Sequence, residues 1–138
     1  MKVQVSGLNE LVKEINRKSK AFENAVDNAV VVTANAIRRE AVLSINKQTR
    51  GDKTVKRGKK KHYISPEGGP PNSDTGTLVR SINVNHIKGS QEAIVFSSLD
   101  YAAYLEFVLN RPWLSTASEG KDKLLKENIL MFSKKALL

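Results

Sequence analysis

From residue 8 to residue 46 the chain contains no proline and no glycine, the two residues that most readily interrupt a helix. Across that stretch the apolar positions run Leu8, Leu11, Ile15, Phe22, Val26, Ala29, Val30, Thr33, Ile37, Ala41 and Ile45. Steps of three, four and seven place them on one face of a helix. Either one very long helix or two helices meeting in a bend near Ser19–Asn24 satisfies this pattern. Val30-Val31-Val32 is β-branched and argues locally against helix, but the periodicity on both sides outweighs three residues. An amphipathic face of this length has to be covered by the rest of the chain or by another copy.

Around this segment the remaining elements are shorter. Val3 and Val5 alternate with polar residues and suit a short edge strand, and Ser6 is placed to cap the helix, with Glu10 in its first turn. Residues 47–73 hold few large apolar residues and end in Glu67-Gly68-Gly69-Pro70-Pro71-Asn72-Ser73. They read as a long basic loop within a single domain 1–138, flexible until it meets a partner. A coreless segment of this length is usually functional or disordered. Asp74-Thr75-Gly76-Thr77 reads as a cap, with Asp74 as the capping residue, followed by a helical turn with Leu78, Val79 and Ile82 inward. Ile82–Ile87 and Ala93–Ser97 alternate and are joined by Lys88-Gly89-Ser90-Gln91-Glu92, the pattern of a hairpin. Tyr101–Phe107 suits a short helix or a third strand. Leu124, Leu125, Asn128, Ile129 and Phe132 then mark a final helix. The expected fold class is α+β, with a long N-terminal helix and a C-terminal helix packed on a small antiparallel β-sheet.

The net charge of +9 is concentrated in one place. Residues 47–61 hold Lys47, Arg50, Lys53, Lys56, Arg57, Lys59, Lys60 and Lys61 against Asp52 alone, while residues 62–138 carry equal numbers of each sign. Cations at this density attract phosphate backbones through counterion release, without reading base sequence; a solvated charge run accounts for the same composition. Only Tyr63 is close enough to stack on a base, which weakens any reading as a single-strand or RNA binder. Cysteine is absent and only His62 and His86 are present, so disulfides, thiolate metal sites and a histidine-rich metal centre are excluded; no cofactor is expected. No apolar run approaches the ~18 residues of a membrane span, and Met1–Val5 lacks the apolar centre of a signal peptide. A soluble chain made in the cytoplasm is expected. With 40% hydrophobic and 6% aromatic residues the core is thin for a free-standing globule, so neighbouring copies are expected to complete it.

Three short signals suggest catalysis and fail on context. Asp74-Thr75-Gly76 matches the triplet of aspartic proteases, but that turn needs a buried apolar strand before it to desolvate the carboxylate, and here Pro70-Pro71-Asn72-Ser73 precedes it. Gly51-Asp52-Lys53-Thr54 lacks the glycine spacing and the strand–helix frame of a phosphate-binding loop. Glu106 beside Tyr101, Tyr104 and Phe107 could be an acid with a raised pKa, yet no second carboxylate accompanies it. An ion pair or a subunit contact suits it better. A small hydrolase using Asp74 or Glu106 is therefore the weaker of two alternatives, behind a nucleic-acid-binding protein acting through residues 47–61.

Taken in order, three pieces resemble the head–tail joining (neck, or tail-completion) proteins of long-tailed phages. They are Val5-Ser6-Gly7-Leu8-Asn9-Glu10-Leu11 leading into the long helix; Gly68-Gly69-Pro70-Pro71 with Asp74-Thr75-Gly76-Thr77-Leu78-Val79-Arg80-Ser81-Ile82; and Tyr101-Ala102-Ala103-Tyr104-Leu105-Glu106-Phe107 with Arg111-Pro112-Trp113-Leu114 and Ala117. The chain departs from the family pattern where Val108-Leu109-Asn110 replaces a Gly-Thr turn and a longer loop. The resemblance implies a non-enzymatic structural protein of the virion neck or tail, assembled in the bacterial host cytoplasm. Its copies would form a hexameric or dodecameric ring with portal, adaptor or stopper and tail-tube proteins as neighbours, DNA in the channel, and no membrane partner. On this reading Tyr101, Tyr104, Glu106, Phe107, Arg111 and Trp113 are expected at subunit contacts. Lys53, Lys56, Arg57, Lys59, Lys60 and Lys61 are expected to meet DNA or the next ring.

Overall fold

The computed structural model describes residue 4 and residues 7–138; the edge strand expected at Val3 and Val5 and the Ser6 cap lie outside the described residues. Helix α1 runs without interruption from Leu8 to Asn46, a rod of about 58 Å at 1.5 Å per residue. It begins after Gly7 at φ 91° and ends where Gln48 turns to φ 55°. Strands β1 (Thr54–Arg57) and β2 (Lys60–Tyr63) follow, then α2 (Thr77–Ser81), β3 (Ile82–His86), β4 (Ala93–Ser97), α3 (Asp100–Phe107), α4 (Ser115–Ser118) and α5 (Lys121–Ala136). The architecture is α+β, with two separate two-stranded antiparallel sheets and α3 as a helix rather than a third strand.

The C-terminal two thirds of α1 is the spine. Helix α5 lies antiparallel along it: Lys121 pairs with Glu40 at one end, and Asn128 Nδ2 donates to Thr33 Oγ1 at 3.1 Å farther along. The β3–β4 hairpin packs on α1 as well. Arg38 Nε donates to Ile82 O at 2.8 Å, and buried Asp27 holds the hairpin's turn, accepting N–H bonds from Gly89 at 3.0 Å and Gln91 at 2.8 Å. His86 Nε2 stands 3.2 Å from the same carboxylate. The N–H of Gly89 holds the Asp27 carboxyl below the usual carboxylate range; burial opposes this, and the Gln91 N–H and the neighbouring His86 reinforce it. The buried positions of α1 are mostly small (Ala25, Ala29, Thr33, Ala34, Ala41), which lets the flanking elements approach closely.

The main core lies near the C-terminal end of α1, where Ala41 and Ile45 meet Leu78, Ile82, Ala102, Trp113 and Ala117. Among the described residues the largest fully buried side chains are Ile45 and Ile82, with Trp113 3% exposed beside them.

Two expectations are corrected here. Residues 47–73 are not a bare loop, because β1 and β2 form a hairpin within them. Its base is closed by Gly51 N–H to Ile64 O and Ile64 N–H to Lys53 O, both 2.9 Å. Asn72 Nδ2 donates to Thr49 O at 2.6 Å and Tyr63 O at 3.0 Å, and Gln48 Nε2 donates to Ser73 O at 2.7 Å. Backbone pairing and polar side chains organise the segment, so apolar alternation does not reveal it. Asp74, in turn, does not cap a helix. The cap of α2 is Gly76 at φ 78°, with no side-chain cap bond, a left-handed conformation that glycine adopts without penalty. The Asp74 carboxylate is drawn to Arg57 of β1 instead.

Candidate functional site: a basic hairpin and two exposed apolar faces

Strand register sorts the cations of the hairpin. Val55 faces His62, Arg57 faces Lys60, Lys56 faces Lys61 and Thr54 faces Tyr63. Directly opposed residues share a face and neighbours alternate, so Val55, Arg57, Lys60 and His62 line one side, and Thr54, Lys56, Lys61 and Tyr63 line the other. The turn is Gly58-Lys59, with Gly58 at φ 61°, the positive φ that a two-residue hairpin connection requires. On the first side Arg57 pairs with Asp74, and His62 Nδ1 lies 3.8 Å from the same carboxylate. This anchors the hairpin beside a cleft that also involves Leu105, Val108 and Leu109.

Like charges directly opposite each other across a ladder are unfavourable, and Lys56–Lys61 and Arg57–Lys60 are two such pairs in succession. Among the described residues Lys53, Lys56, Lys59, Lys60 and Lys61 have no carboxylate within salt-bridge distance. Tyr63 is not an open stacking platform: the Arg50 guanidinium carbon lies 4.8 Å from its ring centroid and Lys61 Nζ 5.8 Å, a cation–π arrangement. Nothing in the spacing of Arg50 along the sequence ties it to a ring thirteen residues away.

The six residues expected at subunit contacts divide into two groups. Tyr101, Tyr104 and Phe107 are exposed, Phe107 to 83%, and Val108 and Leu109 extend the patch. The other three act within the chain. Trp113 is 3% exposed and donates its indole N–H to Ala102 O at 2.9 Å; it is a core residue, enclosed by small neighbours, and the expectation of a subunit contact is corrected. Glu106 accepts N–H bonds from Trp113 at 2.7 Å, Leu114 at 3.0 Å and Ser115 at 3.0 Å, satisfying the N-terminal amides of α4. Burial opposes its ionisation, but the bonds from Leu114, Ser115 and Trp113 outweigh it and hold the carboxyl below its usual range. That is opposite to the raised pKa a catalytic acid would need. Arg111 is half-buried and donates to the carbonyls of Leu109 at 3.0 Å and Asn110 at 3.4 Å, closing the short corner where the Gly-Thr turn is missing.

The rest of the chain covers the apolar face of α1 only from about Ala25 onward. Residues 8–20 are exposed throughout, and Leu8, Leu11, Val12, Ile15 and Phe22 form an open stripe, with Leu8 at 64%. A sequence signal was available: the covered part of the face is rich in alanine, whereas the open part carries large side chains. Among the described residues no helix is long and apolar enough to cross a membrane, and no cluster of three His, Asp or Glu is placed to hold a metal ion.

In comparisons with known proteins, the family HK97-gp10-like, described as "Bacteriophage HK97-gp10, putative tail-component", matches residues 9–107. That span covers most of α1, the basic hairpin and α3. No curated protein and no solved structure matches the chain.

Proposed function

Because the chain belongs to the HK97-gp10-like family of bacteriophage tail components, we propose that it is a structural virion subunit whose copies form a closed ring. The ring joins head to tail or terminates the tail tube, and it is assembled in the bacterial host cytoplasm. The observation that carries this reading is the large apolar surface exposed on the α1 end and on α3. Closed rings of identical subunits bury such surface without leaving an unsatisfied end. The role is structural rather than enzymatic: Asp74 is engaged by Arg57, and Glu106 is held in its ionised form by backbone amides.

The basic hairpin is the surface through which the ring meets a polyanion, either DNA in the channel or an acidic face of a neighbouring ring. Opposed lysines without carboxylate partners cost folding stability, and an anion laid across them removes that cost. The neighbours on either side are the portal, adaptor or stopper and the tail-tube protein.

Quantitative mass spectrometry of purified particles, scaled to the portal protein, tests the reading. About six or twelve copies per particle are expected of a closed ring on this symmetry; absence from the particle would overturn it. A second reading, nucleic-acid binding by the isolated chain through residues 47–61, draws on the same lysines. It expects an affinity for duplex DNA whose logarithm falls with log salt by about 0.9 per phosphate neutralised.

A further inference from the structure

Among the described residues, two exposed apolar stripes are alike in spacing but far apart. On the N-terminal end of α1, Leu8, Leu11 and Ile15 are exposed at i, i+3 and i+7. On α3 and the residue after it, Tyr101, Tyr104 and Val108 are exposed at the same intervals, with Phe107 beside them. Stripes of this spacing interdigitate when one helix lies on another. Within one molecule they cannot meet. Helix α3 is anchored through Ala102 to the core around Ala41 and Ile45, roughly 39 Å along α1 from Ile15 at 1.5 Å per residue. The intervening helix has no proline or glycine at which to fold back.

The open stripe of α1 also continues the face that, farther along the same helix, is buried against α5 and β3–β4. What covers that face inside the chain is the packed side of a helix and of a hairpin, so a suitable cover for the part before Ala25 is the apolar side of another helix. Charge points the same way. The exposed arm 8–22 carries Lys13, Arg17, Lys18 and Lys20 against Glu10 and Glu14, whereas α3 carries Asp100 and Glu106 and no cation. Asp100, exposed beside Tyr101, offers the arm's cations a partner, while Arg57 near the same helix is already paired with Asp74.

We propose that the arm of one copy, residues 8–22, lies across α3 of the next copy, so that subunits join head to tail through two unlike surfaces. A contact between unlike surfaces leaves one of each kind open at every step and closes only as a ring. A pairing of arm with arm would instead stop at a dimer and leave α3 bare. This inference rests on the self-assembling ring proposed above and names the faces that build it.

The chain has no cysteine, so introduced thiols report cleanly. Full-length Ile15→Cys and Tyr104→Cys chains, each confirmed as folded by circular dichroism, are concentrated separately and together and treated with a short bis-maleimide. A Lys126→Cys chain, altered on the exposed side of α5, supplies the collision background. The mixture should give a one-to-one heterodimer severalfold above that background. Each chain alone should stay near background, and a chain carrying both cysteines should give a ladder of multimers. The second pair, Leu11→Cys with Phe107→Cys, should behave alike. Dimers from Ile15→Cys alone above those of the mixture, or no mixed product in either the concentrated protein or assembled particles, would overturn the contact. The copy-number measurement separates the two ideas. A ring-like copy number without the mixed product removes this interface and leaves the ring standing, whereas the mixed product with no chain in the particle removes the virion role and leaves the interface.

Discussion

Three backbone N–H groups end on the carboxylate of Glu106, and this one side chain ties α3 to the start of α4. Its pKa lies below the ordinary value of 4.5, so the native state binds a proton less readily than the unfolded chain does. The stability it contributes is fully present above that value and is lost as the pH falls through the lower native value. Glu106→Gln should therefore lower the melting temperature at pH 7 by an amount corresponding to about 1–3 kcal/mol, toward the low end because the carboxylate is partly in solvent. It should also flatten the decline of stability below pH 4.5, and thermal melts at a series of pH values check both. Trp113 makes a different kind of contribution. Trp113→Ala removes the largest side chain of the Ala41–Ile82 core together with an internal hydrogen bond, and about 3–5 kcal/mol of unfolding free energy should go with it, measurable by urea denaturation. Were Trp113 a contact between subunits, the same change would spare the monomer and weaken only the assembly. The letters Arg-Pro-Trp-Leu do not distinguish these roles; the distinction comes from Ala102 and Ala117, whose small side chains leave room for the indole.

At the scale of elements, the elements legible in the sequence were those with a period. The 39-residue helix, the β3–β4 hairpin and α5 follow from apolar steps of three to four or of two, because a buried face imposes its repeat on the chain. The β1–β2 hairpin has no such repeat. Its strands are exposed and highly charged, and they hold their register through the Gly58-Lys59 turn, the Gly51–Ile64 and Ile64–Lys53 bonds and the Arg57–Asp74 pair. Gly51 is required by space rather than by an unusual φ: a Cβ there would lie 2.4 Å from Ile64 O, a backbone atom with little freedom to move. Gly51→Ala should open the base of the hairpin at a cost of about 1–3 kcal/mol. Amide hydrogen exchange should show faster exchange over residues 51–64 while α1 and α5 keep their protection; uniform loss of protection would mean that the hairpin is not an independent unit. The exposed end of α1 carries the complementary lesson. An isolated helix of this length is marginal in water, and what sustains it in a lone subunit is continuity with the packed part of the same rod.

At the scale of the whole molecule, the densest positive charge sits on the hairpin, and the exposed stripes of α1 and α3 lie toward opposite ends of α1. Lys56→Gln, Lys59→Gln, Lys60→Gln and Lys61→Gln combined should leave the melting temperature unchanged or slightly raised, since opposed like charges are relieved. Particle assembly or DNA retention should suffer; if both are unaffected in particles, the hairpin has no polyanion partner. The sequence by itself determined the α+β class, the position of the long helix, the concentration of positive charge in fifteen residues and the motifs that link the chain to phage neck and tail proteins. Each of these is a property of neighbours along the chain, readable from period, composition and order. Only the tertiary structure decided that Asp74 binds Arg57 instead of capping α2, that Trp113 is enclosed while Phe107 is bare, and that α1 is covered from Ala25 onward and largely open before it. These depend on which distant segments come to lie beside one another, and a side chain's partner is set by that geometry and not by the residues next to it in the chain.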